Sequence, residues 1–307
     1  DDIKIGSTPF MLLRNAMQGA PIFLQPNYME FIQDGNGLNV LLQNYWMVIH
    51  PPILFLGFAS TLVPFAYCIA AMWKGDFQTF VKPTLAWSLF NGAVLGTGIM
   101  MGGALAYESL NFGGYWAWDP VENASLMPWL IMASAAHMLI ITKATGRHLF
   151  TSHLLVQLSF WLVLYATFLT RSGILGEASV HSFTDLGLSG QLLLFLLAFL
   201  ALALVVVLKG KQRQIALVSI LSVMLIPMVL AYTVTSPEST ALFYQWLKGL
   251  GTCLFFGWLI YYIYVLYQRT KMEMSDERMD SREFWMFLGS MFLILSLVQV
   301  FAATSIP

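Results

Sequence analysis

The residues best equipped for chemistry are one aromatic-rich segment and a few well-placed histidines. From Asn111 to Asn123 the chain reads NFGGYWAWDPVEN, with Phe112, Tyr115, Trp116 and Trp118 inside seven positions. Gly113 and Gly114 let the backbone turn tightly and let another surface come close. Asp119-Pro120 reads as the start of a turn with a fixed φ. Asp119, Glu122 and Asn123 then stand where they could orient the polar edge of a ligand or cap the helix that follows. Trp129 closes the segment. Tryptophan and tyrosine also gather at membrane interfaces as plain anchors. Flat rings beside a close-approach glycine pair nevertheless suit a large planar apolar ligand better.

His50 immediately precedes Pro51-Pro52, and proline is tolerated in a first helical turn because its N–H would be unpaired there anyway. That spacing sets His50 at the mouth of a helix. His181 lies in the segment TRSGILGEASVHSF, residues 170–183. Taken singly, either residue reads as an interfacial or capping histidine. Two of them flanking an aromatic platform suggest axial ligands to iron, because imidazole is a common haem ligand. Zinc would want three or four N, S or O ligands. The sequence has no HxxH, and Cys68 and Cys253 sit apart in apolar runs with no CxxC. His137, in AAHM, lies deep in an apolar run, where an ionisable side chain is costly and marks a functional candidate. It reads as a neutral imidazole bonded to a neighbouring helix or as a ligand to a second, membrane-embedded haem, with His153 as a weak internal partner. His148, in a basic loop, reads as solvated.

The elements that must position these residues are membrane helices. Of 307 residues, 58% are hydrophobic and only 10% charged, against roughly 45–50% and about 25% in ordinary globular domains. The net charge of −1 gives no sign of nucleic-acid binding. Eight stretches are long and apolar enough to cross a bilayer: 47–73, 85–107, 124–142, 149–170, 188–208, 214–235, 247–268 and 284–306. They far exceed the roughly 9–11 alternating residues of a membrane strand. The expectation is an all-α polytopic membrane protein of about eight transmembrane helices. With the N-terminus outside, 11 Lys and Arg fall in inner loops and 4 in outer segments, the asymmetry of the positive-inside rule. The same arrangement puts His50, the aromatic segment and His181 on one outer face. The chain divides into an external segment, 1–46, a core, 47–187, carrying the aromatic loop 108–125, and C-terminal helices, 188–307. It starts Asp-Asp and stops as the last span emerges, which reads as a fragment of a longer protein.

Residues 113–130, GGYWAWDPVENASLMPWL, resemble the tryptophan-rich WWD motif of the haem-handling proteins of cytochrome c maturation. The WDPVENAS…MPWL tail resembles the CcmF branch, the haem lyase subunit of the bacterial multi-subunit system, more than the haem-delivery or fused-synthetase branches. Leu41-Leu42-Gln43 through His50-Pro51-Pro52 is similar to that family's first external histidine segment. Residues 167–173, TFLTRSG, followed by Val180-His181, are similar to its second. His137 falls where the family carries a transmembrane histidine. The resemblance covers about residues 7–190. Phe112 and Tyr115 depart from it, standing where tryptophan is usual, and the family's second transmembrane histidine is missing.

The resemblance implies that His50 and His181 are external axial ligands of a transient haem. It implies that Gly113, Gly114, Tyr115, Trp116, Trp118, Asp119, Pro120, Glu122, Asn123 and Trp129 form the surface that holds that haem, and that His137 ligates a b-type haem in the membrane. The implied reaction is thioether attachment of haem to the CxxCH of apocytochrome c at the outer face of a bacterial inner membrane. The implied partners are a haem chaperone, apocytochrome c and a thiol-reducing maturation subunit. A haem transport or delivery protein without ligation activity, and a polytopic transporter subunit, are the alternatives.

Overall fold

The computed structural model describes residues 13–16, 19–31, 37–38, 40–109, 114–175, 189–220, 257–270 and 279–305. Within them every regular element is a helix, and five helices are long and apolar enough to cross a membrane. The multi-pass helical expectation therefore holds.

The first expected span, 47–73, is one 30-residue crossing, Tyr45–Lys74, made of α1 (Tyr45–Ser60) and α2 (Leu62–Lys74). The joint at Thr61 has a cause. Pro64 has no N–H to give the Ser60 carbonyl, so the ladder is interrupted there. Asn91 from the next helix packs into the joint, its buried amide donating to the Gly57 carbonyl and, at 2.7 Å, to Ser60 Oγ. The following crossings are α3 (Val81–Ser109), α4 (Pro120–Thr145) and α5 (Leu149–Arg171). Then come α6 (Ser189–Val207), helical stretches over 210–220 and 257–270, and α7 (Arg282–Ser305). The spans expected at 214–235 and 247–268 fall partly outside the described residues.

α4 is the hub. It packs against α3, α5 and α7, and 72% of its most apolar window is buried, against 17% for α7. Small residues allow the close approach on which membrane helices rely. Ser134 Oγ of α4 donates to the Ser290 carbonyl of α7 at 3.2 Å. α1 packs on α3 through glycines so tight that a β-carbon on Gly57 would stand 2.7 Å from Leu95 Cα, and one on Gly98 would stand 2.9 Å from Leu54 Cα. Apolar surfaces that face lipid gain nothing by burial against each other, so this backbone-to-backbone fit is what locks α1 onto α3.

Candidate site at the His50 end of the bundle

α1 begins at Tyr45, where the Asn44 side chain accepts the Met47 N–H at 3.1 Å. This corrects the expected start of the helix. Pro51 and Pro52 lie inside it, in the second turn rather than the first, and they leave the Met47 and Val48 carbonyls without their usual donors. His50 therefore sits within the helix and not at its mouth. Half-buried, it turns towards α3, where its Nδ1 lies 2.8 Å from the Gly98 carbonyl. A carbonyl accepts only, so Nδ1 carries the proton. A β-carbon on Gly102 would stand 2.7 Å from His50 Cε1. The ring is held by a carbonyl at one glycine and by the absent side chain of another.

A neighbouring face of α3 seats two further rings. Tyr115 lies over Gly103, where a β-carbon would stand 2.7 Å from the ring, and its hydroxyl donates to the Met100 carbonyl at 3.3 Å. Trp129 lies over Gly96 and donates its indole N–H to the Gly92 carbonyl at 2.9 Å. Trp46 completes the outer edge, donating to Glu108 at 2.8 Å. Nothing in the aromatic motif announced this run of α3, LGTGIMMGGALA. The available signal was four glycines within eight positions of a membrane span, a pattern that marks close packing.

The polar residues of the motif cap a helix. Asp119 is the N-cap of α4 and accepts the Val121 N–H at 2.8 Å, with Pro120 in the first turn. Glu122 reaches back to accept the N–H groups of Ala117 and Asp119 at 2.9 and 3.2 Å, which closes a capping box. Asn123, buried, donates to the Trp118 carbonyl at 3.1 Å. Of the two roles open to these three residues from sequence, the geometry supplies the capping one. What the cap holds is Trp118, with φ +57° and 63% exposed. A bulky residue in left-handed backbone is strained and persists only where its surroundings fix it. Trp116 crosses it edge to face, with ring centroids 5.9 Å apart and planes at 87°. Gly114, at φ +103°, makes the turn that brings the rings round.

Beneath these rings lies a cavity of about 300 Å³, lined by His50, Leu54, Ile99, Gly102, Trp116 and Glu122 among others. Trp116 Nε1 is buried without a hydrogen-bond partner. A buried indole N–H left unpaired is costly and points to a missing acceptor.

His50, Tyr115, Trp116 and Trp118 are thus gathered at one end of the bundle. Gly113 and His181 lie outside the described residues. Trp129 packs as a wedge between α4 and α3 rather than joining the exposed rings. His137 lies about 25 Å along α4 from its first residue, half-buried, with Nδ1 2.7 Å from the Ala133 carbonyl. His153 is a core residue and not an open ligand: fully buried, it stacks on Phe80 at 3.7 Å and approaches the Phe77 carbonyl at 3.2 Å. His148, expected in solvent, stands half-buried just before α5 in left-handed backbone at φ +62°, its ring centroid 5.7 Å from that of Phe287. Among the described residues no three His, Cys, Asp or Glu side chains converge to hold a metal ion.

A helical membrane protein with one oriented imidazole beneath a capped aromatic loop is the class that this geometry defines. The chain belongs to the cytochrome C assembly protein family, whose model matches residues 6–175. It is 43% identical over 170 residues to the cytochrome c-type biogenesis protein CcmF of Pseudomonas aeruginosa, an alignment covering 55% of this chain and 25% of that protein. It is 37% identical over 171 residues to the probable cytochrome c-type biogenesis protein NrfE of Escherichia coli, covering 55% of this chain and 31% of that one. The chain thus aligns with about a quarter to a third of the length of these relatives. The solved structure of the cytochrome c heme lyase CcmF matches at 27% identity over 86% of this chain and 47% of its own, with a TM-score of 0.40. So loose a superposition transfers no geometry.

Proposed function

We propose that this chain is the haem-holding part of a cytochrome c haem lyase, working in a multi-subunit assembly at the outer face of a bacterial inner membrane. Residues 47–187 form the haem-handling core, flanked by the external segment 1–46 and the C-terminal helices 188–307. The substrates are haem and an apocytochrome c CxxCH segment. His50 Nε2 takes one axial position on the haem iron and His181 the other. Tyr115, Trp116 and Trp118 present ring surface to the macrocycle. The observation that carries this reading is the oriented His50 ring beside a cavity that Trp116 also lines.

In the reaction each cysteine S–H adds across a haem vinyl C=C. Sulfur bonds to one carbon and the proton goes to the other, with no net electron transfer. What the chain contributes is position, since holding both reactants in near-attack geometry removes most of the entropic cost of their meeting. The apocytochrome histidine then replaces one of the two chain histidines on iron. The thiols must arrive reduced, and Cys68 is buried in the bundle, so a thiol-reducing subunit is the partner that prepares them. A haem chaperone delivers the haem.

A resident b-type haem has one fitting ligand here. His137 has Nδ1 fixed by Ala133 and its Nε2 lone pair on a half-buried side of α4. His153 does not offer a second ligand, because its ring is buried and enclosed by Phe77 and Phe80. Bound there, such a group would supply electrons to iron.

The test is His50→Ala alongside Trp116→Phe, scored by covalently haem-stained cytochrome c and by the Soret band of the purified protein. Loss of holocytochrome c with normal accumulation of the His50→Ala protein supports the reading. Normal holocytochrome c in that variant overturns it. Haem binding with no capture of apocytochrome c would favour delivery without ligation.

A further inference from the structure

The opposite end of the bundle carries a feature that haem handling does not use. A furrow of about 400 Å³ runs between α2 and α6, walled by Leu62, Ala66 and Ala70 on one side and Phe199 and Leu202 on the other, and it ends at Trp73 and Lys74. Its walls are carbon throughout. From Leu62 to Trp73 the helix rises about 16 Å, close to the roughly 15 Å of hydrocarbon in one leaflet of a bilayer about 30 Å thick.

Cations converge where the furrow ends. Lys209 Nζ lies 3.1 Å from the place a β-carbon on Gly75 would take, and Gly75 terminates α2 in left-handed backbone at φ +77°. The Arg213 guanidinium carbon lies 5.6 Å from the centroid of the exposed Trp73 ring. Arg213 Nε donates to the Val205 and Leu208 carbonyls at 3.1 and 3.0 Å, which plants the charge at the end of α6. Arg269 lies within electrostatic range of Arg213. The adjacent acid in sequence is Asp76, whose carboxylate accepts the Gln78 and Thr79 backbone N–H groups at 3.2 and 3.3 Å.

We propose that this furrow binds one anionic phospholipid, with an acyl chain along α2 and α6 and the phosphodiester on Lys74, Lys209 and Arg213. Two independent matches select that occupant. The furrow has the length of one leaflet, and the charge waits at headgroup depth, where tryptophan rings also settle. A zwitterionic lipid fills the furrow but leaves the cations uncompensated. A free phosphate meets the cations but makes no use of the carbon walls. The proposal is independent of haem, and its failure would leave the His50 site untouched.

Native mass spectrometry of the purified protein, titrated with phosphatidylglycerol and with phosphatidylcholine of the same chains, tests it. Phosphatidylglycerol is expected to bind about tenfold tighter. Lys74→Gln with Lys209→Gln abolishes that preference, and Ala66→Phe with Ala70→Phe weakens both lipids by filling the furrow. Lys143→Gln, a basic residue at the end of α4, changes neither. Inorganic phosphate in millimolar excess does not displace the lipid. Equal affinity for the two lipids, a preference that survives Lys74→Gln with Lys209→Gln, undiminished binding of both lipids in Ala66→Phe with Ala70→Phe, or displacement by inorganic phosphate would each overturn the proposal.

Discussion

His50 and His153 each rest one ring nitrogen near a backbone carbonyl, Gly98 at 2.8 Å and Phe77 at 3.2 Å, yet their surroundings differ in kind. Around His153 rings pack on rings: Phe80 stacks on the imidazole, and nearby Tyr262, Gln157 and Met72 are fully buried. Around His50 rings pack on glycine, and the neighbouring loop leaves Tyr115 and Trp118 half or more exposed. The first arrangement excludes everything else and stabilises the bundle. The second fixes rings in place while keeping faces open to a ligand. Strain does not separate the two, since Trp118 next to Trp116 and His148 at the start of α5 both hold positive φ.

The largest effect expected from this contrast separates the two histidines directly. His50→Phe keeps an aromatic ring but has no lone pair, and holocytochrome c is expected to fall about a hundredfold or more, the scale set by loss of near-attack positioning. His153→Phe replaces a ring already stacked on Phe80 with one of similar shape, and holocytochrome c is expected to stay within about twofold. Haem staining of membranes, normalised to the immunoblotted protein, reads both. Loss of staining with His153→Phe at full protein level would break the contrast.

Glycines sharpen it next. Gly102→Ala puts a β-carbon 2.7 Å from His50 Cε1, so the ring must tilt away from the Gly98 carbonyl. About a tenfold loss of holocytochrome c at normal protein level is expected, with an altered Soret maximum. Gly57→Ala meets Leu95 Cα at 2.7 Å. Backbone cannot yield as a side chain can, so the cost falls on folding, about 1–3 kcal/mol, and is read as lower accumulation. A smaller effect is expected from Glu122→Ala, which opens the capping box and frees Ala117 and Asp119. About 1 kcal/mol of helix stability is lost, and haem binding weakens several-fold as Trp118 leaves its left-handed backbone.

Hydropathy placed the spans well because each crossing must satisfy its own backbone hydrogen bonds in lipid, which makes length and apolarity sufficient signals. Expected 149–170 appears as Leu149–Arg171, and 284–306 as Arg282–Ser305. Helix ends were less legible. α1 starts two residues early because Asn44, not the proline pair, caps it. The aromatic loop was visible as composition, but the roles of Asp119 and Glu122 stayed open, since a capping box and a ligand contact use the same side chains. The seat for His50 was invisible in the motif. It is made of the Gly98 carbonyl and the missing side chain of Gly102, some fifty residues away, and only the pairing of α1 with α3 brings them to the ring.

The smallest expected effect lies in the opposite region. Tyr262, fully buried, donates its hydroxyl to Gln157 Oε1 at 2.6 Å, and Gln157 in turn donates to the His153 carbonyl at 3.1 Å. Tyr262→Phe removes one hydroxyl and leaves Gln157 Oε1 buried without that donor. A buried acceptor so orphaned costs about 1–3 kcal/mol. The expected result is a melting temperature lower by a few degrees, with holocytochrome c unchanged and the Soret band unmoved. If this network only holds α5 against the 257–270 helix, stability alone responds. A spectral shift with Tyr262→Phe would mean that the polar chain through Gln157 and His153 reaches a haem, and the region described here as sealed core would belong to the site.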